Sequence, residues 1–187
     1  MNQRLRISQV ASMGWCEIKA QRIMRGLEVP KTEEMDKGDK WHNLLGFNQN
    51  YPVLINYGGY EIEGHIDRLA EHEGEKVVLE LKTTSGAYYV NYLLAPAHIQ
   101  ANLYAYAVGA KQYGIIVFFT KDQRFWGLME KMSETRAERD LKRAIGIYEG
   151  RITPIPTTRG WKCVNCPVTD CEYWIGKVDI IGEVNKK

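Results

Sequence analysis

Residues 60–84 read YEIEGHIDRLAEHEGEKVVLELKTT. Two stretches rich in β-forming residues flank a polar turn at Glu73-Gly74. From residue 76 to 83 the side chains alternate. Val77, Leu79 and Leu81 fall on one face of a strand, and Val78, Glu80 and Lys82 on the other. Residues 60–69 predict the preceding strand. An earlier one over 53–57 leads into Gly58-Gly59, a pair suited to a hairpin turn. The three runs predict an antiparallel meander. In a suitable register Asp67 stands close to Glu80, so that two acids and a lysine crowd one sheet face.

The surrounding chain supplies helices. Ser8 is the expected N-cap of a first helix through Trp15, Cys16, Ile18 and Ile23, ended by Gly26 and Pro30. Thr32 caps a second, with Glu33 and Glu34 in the first turn, where the helix dipole favours acids. This helix carries Met35, Trp41, His42, Leu44 and Leu45. Pro96 suits the first turn of a helix to Gly109, with Ile99, Leu103 and Tyr106 on its apolar face. Residues 113–120 predict a central strand buried on both faces, and 125–131 another. Ser133 caps a charged helix ending near Gly150, and Pro154-x-Pro156 predicts an extended connector. Ile180 and Ile181 suit a short edge strand or a docking contact. The order predicts an α/β fold, a mixed central sheet flanked by helices.

The chain has 187 residues, 44% hydrophobic and 26% charged, which excludes a disordered chain and leaves one sizeable core. A formal net charge of +2 neither demands nor forbids nucleic acid, so any basic surface must be local. No apolar run approaches the ~18 residues of a membrane span, and residues 1–12 lack the apolar core of a signal peptide. The expected setting is the cytoplasm, with no membrane association. A reducing compartment disfavours disulfides, so Cys16, Cys163, Cys166 and Cys171 need another reason. Four thiolates can hold a tetrahedral Zn²⁺ or an iron–sulfur cluster, and the spacing Cys163-x2-Cys166-x4-Cys171 does not choose between them.

Two converging carboxylates repel unless a positive charge neutralises them. A hard divalent cation does so, and Mg²⁺ or Mn²⁺ prefers oxygen ligands. Such sites serve phosphoryl chemistry: the cation polarises the phosphodiester and lowers the pKa of bound water. Lys82 is placed to position that water or to offset transition-state charge.

Asp67 followed by Glu80-Leu81-Lys82 resembles the acid, acid-x-Lys signature of the PD-(D/E)xK nuclease superfamily. His42 upstream on a helix, and Gln100 and Tyr104 four apart on a later one, resemble its RecB-like branch. One N-terminal cysteine and three C-terminal ones narrow the resemblance to the Cas-four family of CRISPR-associated exonucleases, over about residues 5–175. The resemblance implies a restriction-endonuclease-like fold in a single domain over 1–187, with its nuclease core at about 30–150. Segments 1–29 and 151–187 would form a cluster region that staples the cysteine-rich tail to the N-terminal helix. It implies that His42, Asp67, Glu80 and the Leu81 carbonyl hold the cation, that Lys82 assists the attacking water, and that Gln100 and Tyr104 shape the site. It implies that Cys16, Cys163, Cys166 and Cys171 bind an iron–sulfur cluster, usually 4Fe–4S. The family's final cysteine gap is closer to five residues and here is four, which leaves the cluster type open. Closing so long a loop is worth roughly 4 to 5 kcal/mol on a chain-entropy model.

The substrate implied is DNA, preferentially single-stranded and degraded 5′ to 3′. The setting implied is prespacer trimming with CRISPR adaptation proteins, or repair and recombination, with room for a homo-oligomer. Candidate phosphate contacts are Arg4, Arg6, Lys19, Arg22 and Arg25 early in the chain, and Arg136, Arg139, Lys142, Arg143 and Arg151 late. Tyr88, Tyr89 and Tyr92 suit either base stacking or packing under a loop. The competing reading is a zinc-stabilised nucleic-acid-binding protein without catalysis.

Overall fold

Short-range chemistry sets most element boundaries. The Thr32 hydroxyl accepts from the Met35 amide at 3.3 Å, and Ser133 does the same for Arg136 at 3.3 Å, so both predicted N-caps operate. Gly109 and Gly150 end their helices in the left-handed conformation, with φ of 67° and 82°. The computed structural model describes residues 3–157, 161–164 and 166–174, and Ile180 and Ile181 lie outside them. The chain runs β1 (Gln3–Arg6), α1 (Ile7–Ala11), a 3-10 turn (Ser12–Gly14), α2 (Glu17–Met24), α3 (Glu33–Leu44), β2 (Tyr51–Tyr57), β3 (Tyr60–Ile66), β4 (Arg68–His72) and β5 (Glu75–Thr84). It continues through a 3-10 turn (Ala87–Tyr89), α4 (Val90–Val108), β6 (Gln112–Phe119), β7 (Arg124–Lys131), α5 (Glu134–Glu149) and α6 (Trp161–Val164).

The strands make two ladders, β1-β3-β2 and β4-β5-β6-β7. β5 runs parallel to β6 through the α4 crossover, while β4 and β7 pair antiparallel at the flanks. This is the mixed α/β arrangement expected, with helices packed on the sheets. α4 lies against α1, α5, β5 and β6. Between these layers Ile7, Ile62, Ile66, Leu103, Ile115, Leu141 and Ile147 are fully buried. Each such side chain is worth about 1.5–3 kcal/mol of burial. No helix among the described residues is long and apolar enough to cross a membrane.

Three expectations are corrected. The run 60–69 is not one strand of a meander. It breaks at Asp67, because the Gln49 amide donates to the Asp67 carbonyl at 3.1 Å and the Gln49 side chain accepts from the Leu69 amide at 2.8 Å. The β2–β3 hairpin therefore belongs to one ladder and β4–β5 to the other. The first helix is also interrupted: Ser8 lies inside α1, and Cys16, in extended conformation, is the N-cap of α2. Residues 3–6, outside every predicted element, form β1 parallel to β3. Pro96 sits inside α4 rather than in its first turn. The helix tolerates it beside a close approach: a Cβ on Gly14 would stand 2.6 Å from the Pro96 nitrogen, so only glycine lets the first 3-10 turn reach α4 there.

One carboxylate clasps the two ends of the fold. Glu17 accepts from Arg143 Nε at 2.5 Å, from the Arg143 Nη2 at 2.7 Å and from the Ile155 amide at 2.7 Å. A planar guanidinium fork on a carboxylate is a strong, directional pair. Glu17→Ala leaves the half-buried Arg143 and the connector amide without this acceptor. We expect a loss of about 1–3 kcal/mol, read by urea denaturation.

Candidate active site

β5 presents the acid-x-Lys segment at the middle of the second ladder. The pairing of Arg68 with Leu79 sets Asp67 opposite Glu80, one step further along. Asp67 Oδ2 accepts from the Leu81 amide at 2.9 Å, which pins the carboxylate to the next strand. α3 brings in His42: Trp41 packs on Phe118 with centroids 4.7 Å apart, and the following His42 places Nδ1 3.6 Å from Asp67 Oδ1. Lys82 Nζ donates to Glu80 Oε1 at 2.7 Å and to Gln100 Oε1 at 3.1 Å. Gln100 in turn donates through Nε2 to the Tyr104 hydroxyl at 3.2 Å. His42, Asp67, Glu80, Leu81, Lys82, Gln100 and Tyr104, predicted from separate elements, thus form one connected set.

The electrostatics follow from burial. Glu80 is 1% exposed, and burial pushes its carboxyl up to about 7 against the pull of Lys82, with the Asp67 charge adding to the rise. Burial pulls the Lys82 ammonium down, but the Glu80 carboxylate more than offsets it and the net shift is upward. Burial likewise lowers His42, and the hydrogen-bonding and charge influence of Asp67 reverses this into a raised pKa. Tyr104 is pushed well above the usual phenol range by burial and then by Glu80.

Glu80 Oε2 is buried without a hydrogen-bond partner among the described residues. A buried carboxylate oxygen left bare asks for a cation. With Asp67 beside it and an imidazole at the rim, the donors are those that Mg²⁺ or Mn²⁺ accepts. Among the described residues no three or more His, Cys, Asp or Glu side chains are gathered so that they could hold a metal ion as they stand.

The cysteines meet around a neighbouring wall. Cys16, Cys163, Cys166 and Cys171 line one cavity of about 780 Å³, together with His42, Leu81 and Lys82. Burial pushes the Cys163 thiol up, and the closeness of Cys16, Cys166 and Cys171 pushes it further.

Residues 3–171 match the PD-(D/E)XK nuclease superfamily. The chain belongs to that superfamily. No curated protein matches it. The solved structure of SSO0001 is similar at 17% identity over 94% of this chain and 89% of that one, with a TM-score of 0.60. A phage-related exonuclease from Haemophilus somnus 129PT is 8% identical over 80% of this chain and 93% of its own, with a TM-score of 0.51. The alkaline exonuclease LHK-Exo from Laribacter hongkongensis is 12% identical over 79% and 91%, with a TM-score of 0.45. At these identities the likeness to the first two is one of fold.

In this PD-(D/E)XK chain most of the predicted phosphate contacts are already engaged. Arg4 pairs with Glu61, Arg6 with Glu63, Arg22 with Asp170, Arg136 with Glu130, Arg139 with Asp140, Arg143 with Glu17 and Arg151 with Glu149. Their acidic partners fit the low net charge and leave no bare arginine stripe among the described residues. Of the other histidines, His65 and His72 are exposed, and His98 bonds Tyr113 at 3.2 Å, away from the site. Gln49, which holds the Asp67 backbone, carries no motif by which sequence alone would find it. Gly64 had such a signal, a glycine inside a strand. A Cβ there would stand 2.7 Å from Tyr104 Cε1 and 3.1 Å from Ile7 Cδ1. Gly64→Ala is expected to cost about 1–3 kcal/mol by overpacking, measured by thermal unfolding, while displacing Tyr104.

Proposed function

We propose that this nuclease-superfamily chain is a divalent-metal-dependent DNA exonuclease acting on single strands from 5′ to 3′. The observation that carries the reading is the buried Glu80, its Oε2 unpartnered, with Asp67 opposite and Lys82 bonded to its other oxygen. In this reading His42, Asp67, Glu80 and the Leu81 carbonyl hold Mg²⁺ or Mn²⁺. The cation supplies Lewis acidity toward the phosphodiester.

The chain's own residues do the rest. The Leu81 amide orients Asp67 through its 2.9 Å bond. Lys82, tethered by Glu80 and Gln100, orients the attacking water and offsets charge that grows on the phosphoryl oxygens. Gln100 fixes the ammonium, and the Tyr104 hydroxyl fixes Gln100. Cys16, Cys163, Cys166 and Cys171 hold an iron–sulfur cluster, of the 4Fe–4S type by resemblance. Its part is structural, because phosphodiester hydrolysis needs no electron transfer. Resemblance to the Cas-four exonucleases makes the task DNA-end trimming, in prespacer processing or in recombination.

Degradation of end-labelled single strands tests this directly. Activity should require Mn²⁺ or Mg²⁺ and stop with EDTA, and 5′-blocked strands should persist. Binding with no degradation under any divalent cation would instead favour the non-catalytic reading.

A further inference from the structure

Three tyrosines stand where β5 hands over to α4. Tyr88 and Tyr89 are 75% and 48% exposed, too open to serve core packing. Tyr88 meets Tyr89 at 5.5 Å and 86°, and Tyr92 at 5.7 Å and 74°. Each edge-to-face contact occupies the edge of one ring and one face of the other, and the 75% exposure of Tyr88 leaves its ring open to a further aromatic partner. Tyr89 lines the same cavity as Lys82 and His42, with Trp15 and Lys19 also on its walls. The Lys19 ammonium sits 5.7 Å from the Trp15 ring, which adds positive charge to an aromatic surface.

We propose that Tyr88, Tyr89 and Tyr92 form a stacking platform for the unpaired bases beside the phosphate engaged at Lys82. The proposal rests on the nuclease reading and names what selects the strand. Because the four cysteines share this cavity of about 780 Å³ with Lys82, less than that volume is left beside Lys82 and Tyr89, room for a single strand and not for a duplex. The backbone must enter unpaired, and its neighbouring bases then need an apolar surface just outside. The tyrosines supply one immediately after the Glu80-Leu81-Lys82 strand. Stacking engages the face common to all bases, so the platform reads strandedness rather than sequence.

The test uses the full chain in EDTA, so that no turnover occurs, with an oligodeoxynucleotide carrying 2-aminopurine, either single-stranded or annealed. Wild-type protein should quench the single-stranded probe. The Y88A/Y89A double variant should lose that quench and bind the single strand about tenfold more weakly, with duplex binding unchanged. Tryptophan at both positions should restore the quench. Because Tyr88 is so exposed, Y88L alone keeps the fold and must itself reduce the quench. Wild-type quench and affinity in the alanine variant would overturn the platform, as would equal losses for single strand and duplex. A change of oligomeric state in Y88L with probe binding intact would make this face a protein contact and also overturn it. Cleavage in Mn²⁺ separates the two readings. Stacking without wild-type cleavage fails the nuclease reading alone, and cleavage with tyrosine variants that behave as wild type fails the platform alone.

Discussion

Asp67→Ala is expected to lower Mn²⁺-dependent degradation of single-stranded DNA by at least about a thousandfold, with Lys82→Ala close behind. Asp67 is a strong lever because three elements converge on it. Its Oδ2 is held by the Leu81 amide at 2.9 Å, its Oδ1 faces His42 at 3.6 Å, and its carbonyl is bonded by Gln49 at 3.1 Å. Alanine removes both carboxylate oxygens and leaves Glu80 as the one acid at that point of the sheet. Lys82→Ala acts differently. It strips the buried Glu80 of its ammonium partner, and burial then drives that carboxyl further toward its protonated, non-ligating form. Both changes should depress kcat far more than DNA affinity, and both should keep the wild-type far-UV circular dichroism. Cleavage within tenfold of wild type by either variant would sink the assignment of these residues.

Cys166→Ala should produce the largest effect on stability. The proposed four-cysteine cluster would anchor the tail to Cys16 across more than a hundred residues, and losing that closure would cost about 4 kcal/mol on the chain-entropy model. For a chain of this size each kcal/mol shifts Tm by about 2–4 °C, so the midpoint should fall by about 10 °C. The same protein, purified without oxygen, should lose the brown colour and the broad absorption near 400 nm expected of wild type by resemblance to the iron–sulfur family. Cys166 also takes part through its backbone, accepting from Trp174 Nε1 at 3.2 Å, a bond that alanine preserves. The variant therefore isolates the sulfur. An unchanged Tm and spectrum would fail the cluster assignment. A colourless wild type with one zinc per chain would place Zn²⁺ on the same thiols.

The grouping of the candidate site's side chains was more legible than the scaffold around it. Alternation over residues 76–83 places Glu80 and Lys82 together, and helical spacing places Gln100 above Tyr104, because both periodicities are local. Thr32 and Ser133 announced their helices through side-chain chemistry that acts within one turn. What escaped was non-local. β1 exists because Leu5 is buried beside Ile62 in a parallel pairing with β3, and nothing within residues 3–6 announces that partner. The break at Asp67 depends on Gln49, eighteen positions upstream. Pro96 inside α4 reads as a helix start by intrinsic preference, and packing against Gly14 overrides it. The arginines, read singly, suggest a phosphate track, whereas most of their acidic partners lie far away in sequence.

The clasp at Glu17 has a temporal consequence. The first two dozen residues cannot complete their bonding until residues 143–155 are in place: Glu17 waits for Arg143 and Ile155, and Gln21 for the Ile147 carbonyl, 2.8 Å away. On a ribosome this segment thus emerges well before the residues that fasten it. Pairings so distant in sequence raise contact order and slow folding. Until they form, the segment carrying Glu17 and Gln21 is exposed to misassociation and proteolysis, and successful biosynthesis depends on the later α5 region reaching it before either occurs.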